Sequence, residues 1–397
     1  MAWRSRLDEI IDGLSEQLVA LRRRLHANPE PSGEELQTSL LLYQLLSDRG
    51  MAVRMGPEGR GVLVDSHDQA AGRRVAIRGD IDALRLQDAK QTAYRSTCDG
   101  VMHACGHDAH ATCAAGAMIA LDQLAAEGAL PRPVTWRGIL QPSEETATGA
   151  AEMVGAGAVE GVASLVALHV DPRLATGTVG VRPGVLTAFA EMMRIDISGS
   201  GGHAARPHES RDPIAAAAQL IGALYQYVPR ATDSQESVVV TIGQVSGGDT
   251  ANVIPESVML RGTVRTLDAS VRQRTIDHIR HLAHGVSEIT GTRIHIEFEV
   301  SLPAVDNDPA LTGVIRREAA GLLGEGGVAQ LGRASMGSED FAVYGAHAPL
   351  AMFRLGCSAS PPGPGLHTPQ FDIDEACLPI GAKLLARAAV AAALGEG

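Results

Sequence analysis

The sequence predicts an α/β fold: a mostly parallel central sheet flanked by helices, interrupted by a smaller unit of order β-α-β-β-α-β. Three observations carry that prediction. Strand-length apolar runs alternate with segments of helical period at both ends of the chain. In the middle the alternation gives way to two successive strands. The length, 397 residues, exceeds the ~100–200 of a usual domain, so two units are expected.

Each element has its own signal. Residues 5–25 place Leu7, Ile10, Ile11, Leu14, Leu18, Leu21 and Leu25 at helical spacing, and HANPEPSGEE (26–35) breaks it. A second helix is expected near 35–49. VLVD (62–65) and VAIRGD (75–80) read as strands, 107–126 as a helix and VTWRGILQP (134–142) as a buried strand. A helix near 146–156 and the strand SLVALHV (164–170) follow. The middle begins with the strand EMMRIDISGS (191–200), in which Met192 and Met193 are assigned to the core. A helix at 211–228 is led by Asp212-Pro213, a cap with a first-turn proline. Two strands (238–248 and 257–267), an amphipathic helix (270–290) and the alternating strand RIHIEFEV (293–300) complete it. Residues 1–187 and 303–397 are then the two parts of one domain, with 188–302 inserted. A helix at 309–323, a strand at 350–356 and a helix at 375–394 close the chain.

Composition excludes several functions. The formal net charge of −12 disfavours nucleic acid, which needs clustered Lys and Arg. It gives no attraction to an anionic membrane, and no apolar stretch of ~20 residues reads as membrane-spanning. MAWRSRLDEIIDGLSEQL carries acids inside its apolar pattern rather than a signal-type apolar block, so a cytoplasmic location is expected. With only 5 Phe, 5 Tyr and 2 Trp, the core must be packed from small aliphatic residues. Five cysteines without a C-x-x-C pair argue against a disulfide framework.

The densest chemical signal is MHACGHDAHAT (102–112), with His103, Cys105, His107, Asp108 and His110 in one stretch. Thiolate and imidazole suit zinc and its neighbours, and Cys105 and His107 can both turn inward if Gly106 permits a tight bend. LQPSEETATGA (140–150) sets Glu144 and Glu145 just past a strand, where open α/β sheets place their sites. One could bind metal while the other takes a proton; equally, acids in a first helical turn stabilise the helix dipole. His169 closes a predicted strand, and His367 lies in the Pro/Gly-rich GLHTPQFDID (365–374). Either alone reads as structural. Together these residues converge on one sheet edge, which suits a two-metal hydrolytic site. In or beside the inserted unit, His203 (GSGGHAARPH), Asn252 (GGDTANVIPESV) and Arg265 (RGTVRTLD) offer an imidazole, an amide and a guanidinium for an oxyanion and a carboxylate. Turn chemistry and a solvated strand position explain them equally well. His278, His281 and His284 read as a solvated helix face.

Taken in order, HANPEPSGEE, RGDIDAL (78–84), MHACGHDAH, QPSEET, LHVDP, SGGHAARPH, NVIPESV, GTVRT, SMGSEDF (335–341) and GLHTP resemble the amidohydrolase branch of the aminoacylase/carboxypeptidase-G metallopeptidase superfamily. That branch includes hippurate hydrolases, N-acyl-L-amino-acid amidohydrolases and plant auxin-conjugate hydrolases. The resemblance implies a metallopeptidase-type catalytic domain with an inserted ferredoxin-like lid and dimerisation domain. It implies two divalent metal ions per subunit (zinc, manganese, cobalt or nickel) on Cys105, His107, Glu145, His169 and His367. Glu144 falls on the general base. His203 would reach the active site of the second subunit in a homodimer, or a tetramer, and steady the oxyanion. Asn252 and Arg265 fall on substrate contacts. The implied reaction is hydrolysis of N-acyl-L-amino acids, hippurate-like or N-acetyl; the alternative is a dipeptidase or carboxypeptidase of the same superfamily. Two other readings differ in class: a cysteine hydrolase using Cys105, and a binding protein with a vestigial site. Arg85 and Asp88 stand where the family usually has proline and glutamate, so substrate preference is expected to differ.

Overall fold

The computed structural model describes residues 2–67 and 73–396. Two compact units form. Unit 2 comprises Thr187–Ala304 and Ala334–Glu339, and unit 1 the rest. In chain order, unit 1 opens with α1 (Ala2–Ala27), α2 (Leu36–Ser47), β1 (Ala52–Met55), β2 (Val62–Asp65), β3 (Arg74–Asp80) and α3 (His107–Ala126). It continues with β4 (Trp136–Gln141), α4 (Gly149–Gly155), β5 (Val162–Ala175), β6 (Val179–Val181) and β7 (Gly184–Val185). Unit 2 holds β8 (Phe189–Ser198), β9 (Gly202–His203), α5 (Pro213–Ala231), β10 (Val238–Ser246), β11 (Val253–Ile254), β12 (Ser257–Thr266), α6 (Ala269–Thr290) and β13 (Arg293–Leu302). Unit 1 resumes with β14 (Asp306–Asn307), α7 (Pro309–Leu323), β15 (Val328–Gln330), β16 (Leu350–Ser358) and α8 (Cys377–Leu394).

The unit 1 sheet has the order β1-β2-β4-β3-β5-β16-β6-β15. Its centre is parallel: β3 pairs in parallel with β4 and β5, and β5 with β16. Alternate strand residues feed two apolar clusters on opposite faces. Val75, Ile77, Val166 and Leu168 join α1, α3 and α8, whereas Ala76, Leu165 and Ala167 join Phe341 and Tyr344. As expected from the shortage of aromatics, α3 packs through Ala111, Ala114, Ala115 and Ala117, all fully buried. Helix α8 is long and apolar enough to cross a membrane, but two-thirds of it is buried inside the protein.

Unit 2 is a four-stranded antiparallel sheet of order β10-β12-β8-β13 with a core of Met193, Ile195, Leu220, Leu224, Leu260 and Ile279. The Asp212 side chain accepts from the backbone N–H groups of Ile214 and Ala215, so the predicted cap of α5 is present. Asp268 does the same for α6.

Four sequence expectations need correction. Met193 is buried but Met192 is 47% exposed, because neighbouring strand residues face opposite sides. β5 extends to Ala175, so His169 lies inside a strand rather than at its end. Helix α4 begins at Gly149 rather than near 146, because residues 143–148 form a loop. His278 is half-buried, while His281 and His284 face solvent.

Candidate metal centre

Parallel strands bring their C-terminal ends to one edge. β3 ends at Asp80 and β4 at Gln141, and Arg78 of β3 is level with Ala167 of β5, two residues before His169. The turn into α3 presents Cys105 and His107 to this edge. Gly106 adopts φ +89°, a left-handed conformation that L side chains rarely take. A Cβ there would lie 2.4 Å from Val170 Cγ2, so only glycine fits. The tight bend anticipated at Gly106 is therefore present. The loop after β4 carries Glu144 and Glu145, and a backbone N–H···O bond from His367 to the Ala104 carbonyl (2.8 Å) ties in the C-terminal segment.

All five expected ligand side chains, with Glu144, meet in unit 1. Ligand atoms of Cys105, His107 and His169 lie within 4.8 Å of one another, as do those of Cys105, Glu145 and His367, and those of His107, Glu144 and Glu145. Cys105 Sγ is 3.5 Å from His169 Nε2, and His367 Nε2 is 3.2 Å from Glu145 Oε1. His107 Nε2 lies 3.9 Å from both Glu144 Oε2 and Glu145 Oε1. Glu144 Oε1 accepts from the Asp340 backbone N–H at 3.3 Å.

Imidazole orientation is set by the surrounding groups. His107 Nδ1 donates to Asp82 Oδ1 (3.0 Å), and His169 Nδ1 to the Val170 carbonyl (2.8 Å), so each turns Nε2 toward the cluster. Burial opposes charge on His107, but Asp80, Cys105 and Asp82 outweigh it and hold its pKa well above the usual histidine value. Burial, with Arg354 nearby, holds His169 well below that value. Burial pushes the Cys105 thiol up to about 12.

The donor set fits a divalent cation. Among the described residues, His107 Nε2 and Glu145 Oε1 are buried atoms with no hydrogen-bond partner, Glu145 Oε1 having only the His367 ring as a close polar neighbour. Such atoms are costly to leave unsatisfied, and a cation between these donors would satisfy both. Thiolate, imidazole and carboxylate together match borderline-soft first-row metals.

The sequence model of peptidase family M20/M25/M40 matches residues 76–391. The chain belongs to peptidase family M20/M25/M40. An N-acetylcysteine deacetylase of Bacillus subtilis strain 168 is 36% identical over 375 residues, covering 94% of this chain and 96% of that protein. An IAA-amino acid hydrolase of Arabidopsis thaliana is 35% identical over 373 residues, covering 92% and 83%. The solved structure of a dinuclear metal-binding peptidase of the M20 family from Bacillus subtilis superposes with a TM-score of 0.82 at 32% identity, covering 96% and 99%. The amidohydrolase resemblance read from the motifs agrees with these relatives, and M20 membership supports amide hydrolysis as the chemistry.

Within this M20 chain, His203, Asn252 and Arg265 belong to unit 2. β9 and β11 pair, and the Ala204 N–H donates to the Asn252 carbonyl at 3.1 Å, so His203 and Asn252 are neighbours on an exposed surface. Arg265 donates to the Met336 carbonyl (3.3 Å) and Ser338 Oγ (3.0 Å) of the 334–339 segment. Arg85 pairs with Glu34 at the surface. Asp88 is buried and accepts from the N–H groups of Lys90 and Ser96.

Two residues were not singled out from the sequence. Asp82 orients His107 and also accepts from the Glu145 N–H at 3.0 Å. Asp80 accepts from His110 Nδ1 (2.7 Å), whose Nε2 accepts from the Val170 N–H (2.9 Å), linking α3 to β5 beside His169. Their signal was RGDIDAL, with two carboxylates at a strand's C-terminal end.

Proposed function

We propose that this chain is a binuclear metal-dependent amidohydrolase that converts N-acyl-L-amino acids to a carboxylic acid and a free amino acid. The observation that carries this reading is the convergence of Cys105, His107, Glu145, His169 and His367 beside the carboxylate of Glu144. These five residues would hold two divalent ions, with zinc, manganese, cobalt and nickel all suited to the set. Such ions supply Lewis acidity, polarising a carbonyl oxygen and acidifying water.

Glu144 takes the proton of the attacking water and delivers it to the leaving amine. The Asp340 N–H on its Oε1 steadies the carboxylate and leaves Oε2 toward the cluster. Unit 2 serves as lid and dimerisation domain. His203 stabilises the oxyanion of a partner subunit, a role in which loss of one donor costs ~10²–10³ in turnover. Asn252 and Arg265 contact the substrate. Among the described residues Arg265 is held by a carbonyl and a hydroxyl rather than a carboxylate, which supports pairing with a substrate carboxylate. Strand β10 forms an edge of the unit 2 sheet and exposes Val239 and Val245, which supports a homodimer through this unit. The five free thiols support a cytoplasmic setting.

Cys105 shares its surroundings with His107, His169, Glu145 and His367, a ligand-type set that supports metal binding over a cysteine nucleophile. A dipeptidase or carboxypeptidase reading has support too: an M20 neighbour of solved structure is described as a peptidase. A panel of N-acetyl, N-benzoyl and long-chain acyl amino acids against dipeptides separates the two. Glu144→Gln should abolish turnover while bound metal, measured by elemental analysis, stays at the wild-type level. Near-normal turnover in that variant would remove the base assignment.

A further inference from the structure

HANPEPSGEE (26–35) contributes nothing to the ligand set, yet its second half reaches that set. From this geometry we propose that residues 32–35 form a bracket that positions the Glu144-Glu145 loop and, through Asp82, the His107 ring. The inference rests on the metal amidohydrolase reading above and assigns positioning residues to it.

The first arm acts on Ser143, immediately before Glu144. Ser143 has φ +54°. A left-handed L-residue is strained and persists only where its surroundings over-determine it. Here they do. Ser143 N–H donates to Glu35 Oε1 at 2.8 Å, and Ser143 Oγ donates to the same oxygen at 3.2 Å. Ser143 Oγ also accepts from the Gly33 N–H (3.0 Å) and from Arg60 (3.2 Å). Glu35 and Ser143 are both buried. The far side of the loop closes on the same residue, because the N–H groups of Thr148 and Gly149 donate to the Ser143 carbonyl at 3.3 and 3.1 Å. A Cβ on Gly149 would lie 1.6 Å from the Pro142 carbonyl oxygen, so this closure admits no side chain.

The second arm acts on Asp82. Ser32 Oγ donates to Asp82 Oδ2 at 2.7 Å. That oxygen also accepts from the Glu145 N–H, and Oδ1 accepts from His107 Nδ1. A parallel bridge between Pro31 and Ala83 and a bond from the Ala83 N–H to the Glu30 carbonyl (2.9 Å) hold the bracket beside Asp82. One four-residue segment therefore orients a metal-type carboxylate, an imidazole and the base.

The test titrates metal-stripped full-length protein with zinc alone against a chromophoric chelator, and measures kcat and KM on the zinc-loaded protein. Glu35→Ala should bind zinc ~10–100-fold more weakly and lose a similar factor in kcat, with KM within about threefold. Glu35→Gln keeps a carbonyl oxygen for the Ser143 donors and should restore both to within about threefold of wild type, a rescue that a general packing role would not produce. Ser32→Ala should weaken zinc about tenfold, and it decides the matter if circular dichroism shows Glu35→Ala to be unfolded. Wild-type zinc affinity in Glu35→Ala or in a folded Ser32→Ala overturns the bracket, as does a Gln variant as impaired as Ala. The zinc titration needs no substrate. Failure of the amidohydrolase reading would appear separately, as wild-type protein that hydrolyses no acyl amino acid.

Discussion

Replacing Gly106 with alanine tests whether backbone conformation builds the metal centre. Gly106 sits between Cys105 and His107 at φ +89°. An added methyl meets Val170 Cγ2 at 2.4 Å and Phe371 Cζ at 3.4 Å. The left-handed backbone costs an L-residue ~1–2 kcal/mol. Forcing the methyl into packed surroundings costs ~1–3 kcal/mol more, so Gly106→Ala should destabilise unit 1 by about 2–5 kcal/mol. Relaxation would have to push Val170 aside, and Val170 is covalently joined to His169. Zinc affinity should therefore fall as well, by ~10–100-fold for displaced ligands. Both tryptophans of the chain, Trp3 and Trp136, are buried in unit 1, so urea unfolding followed by their fluorescence reports that unit. A double-mutant cycle with Val170→Ala separates the two contributions. The steric part should appear as a coupling of ~1–3 kcal/mol, with the backbone part left over. A Gly106→Ala protein within about 0.5 kcal/mol of wild type, with unchanged zinc affinity, would refute the reasoning.

Further outcomes follow from the same structure. Cys105→Ala should lower bound metal by elemental analysis and leave some behind, because His107, Glu145 and His367 remain; equal content in variant and wild type would remove Cys105 from the ligand set. Arg265→Met should raise KM for acyl amino acids ~10–100-fold with little change in kcat, the expected loss of one charge-assisted bond made in ground and transition state alike; an unchanged KM would separate Arg265 from the substrate. Asp88→Asn should cost ~1.5–3 kcal/mol at pH 7, since the carboxylate accepts from the N–H groups of Ser96 and Lys90. Burial raises the Asp88 pKa, but those N–H groups and the Lys90 charge outweigh it and depress it. The contribution is therefore present above the unfolded value of ~3.9 and is lost as pH falls below it, so the gap between wild type and variant should close below about pH 4 in acid unfolding curves.

Much of the site was legible in the chain because its donors carry unusual chemistry at strand ends. Cys105, His107 and Glu145 stand within short motifs, and local chain geometry brings each to the edge of the sheet. His169 was legible by type but not by position: SLVALHV ends its apolar run at Val170, yet β5 continues through Asp171 to Ala175 by pairing with β16. Met192 was misread because two adjacent apolar residues in a strand cannot both face one core. Asp82, Ser32 and Glu35 were passed over because an aspartate, a serine or a glutamate in a loop has many ordinary explanations.

The sequence by itself determined the order of the long helices and strands, the cap of α5, a glycine able to make the bend at 106, and the residue types that can hold a metal. These follow from local periodicity, backbone sterics and side-chain chemistry, all of which act over a few residues. Only the tertiary structure decided which of those residues meet. His367 reaches Cys105 across more than 250 residues through one backbone bond to Ala104, and Glu35 reaches Ser143 across 108. It also decided that residues 334–339 pack with unit 2, where Met336 and Ser338 hold Arg265. Such pairings depend on which surfaces the packed sheet brings together, and no local window of the chain contains that information.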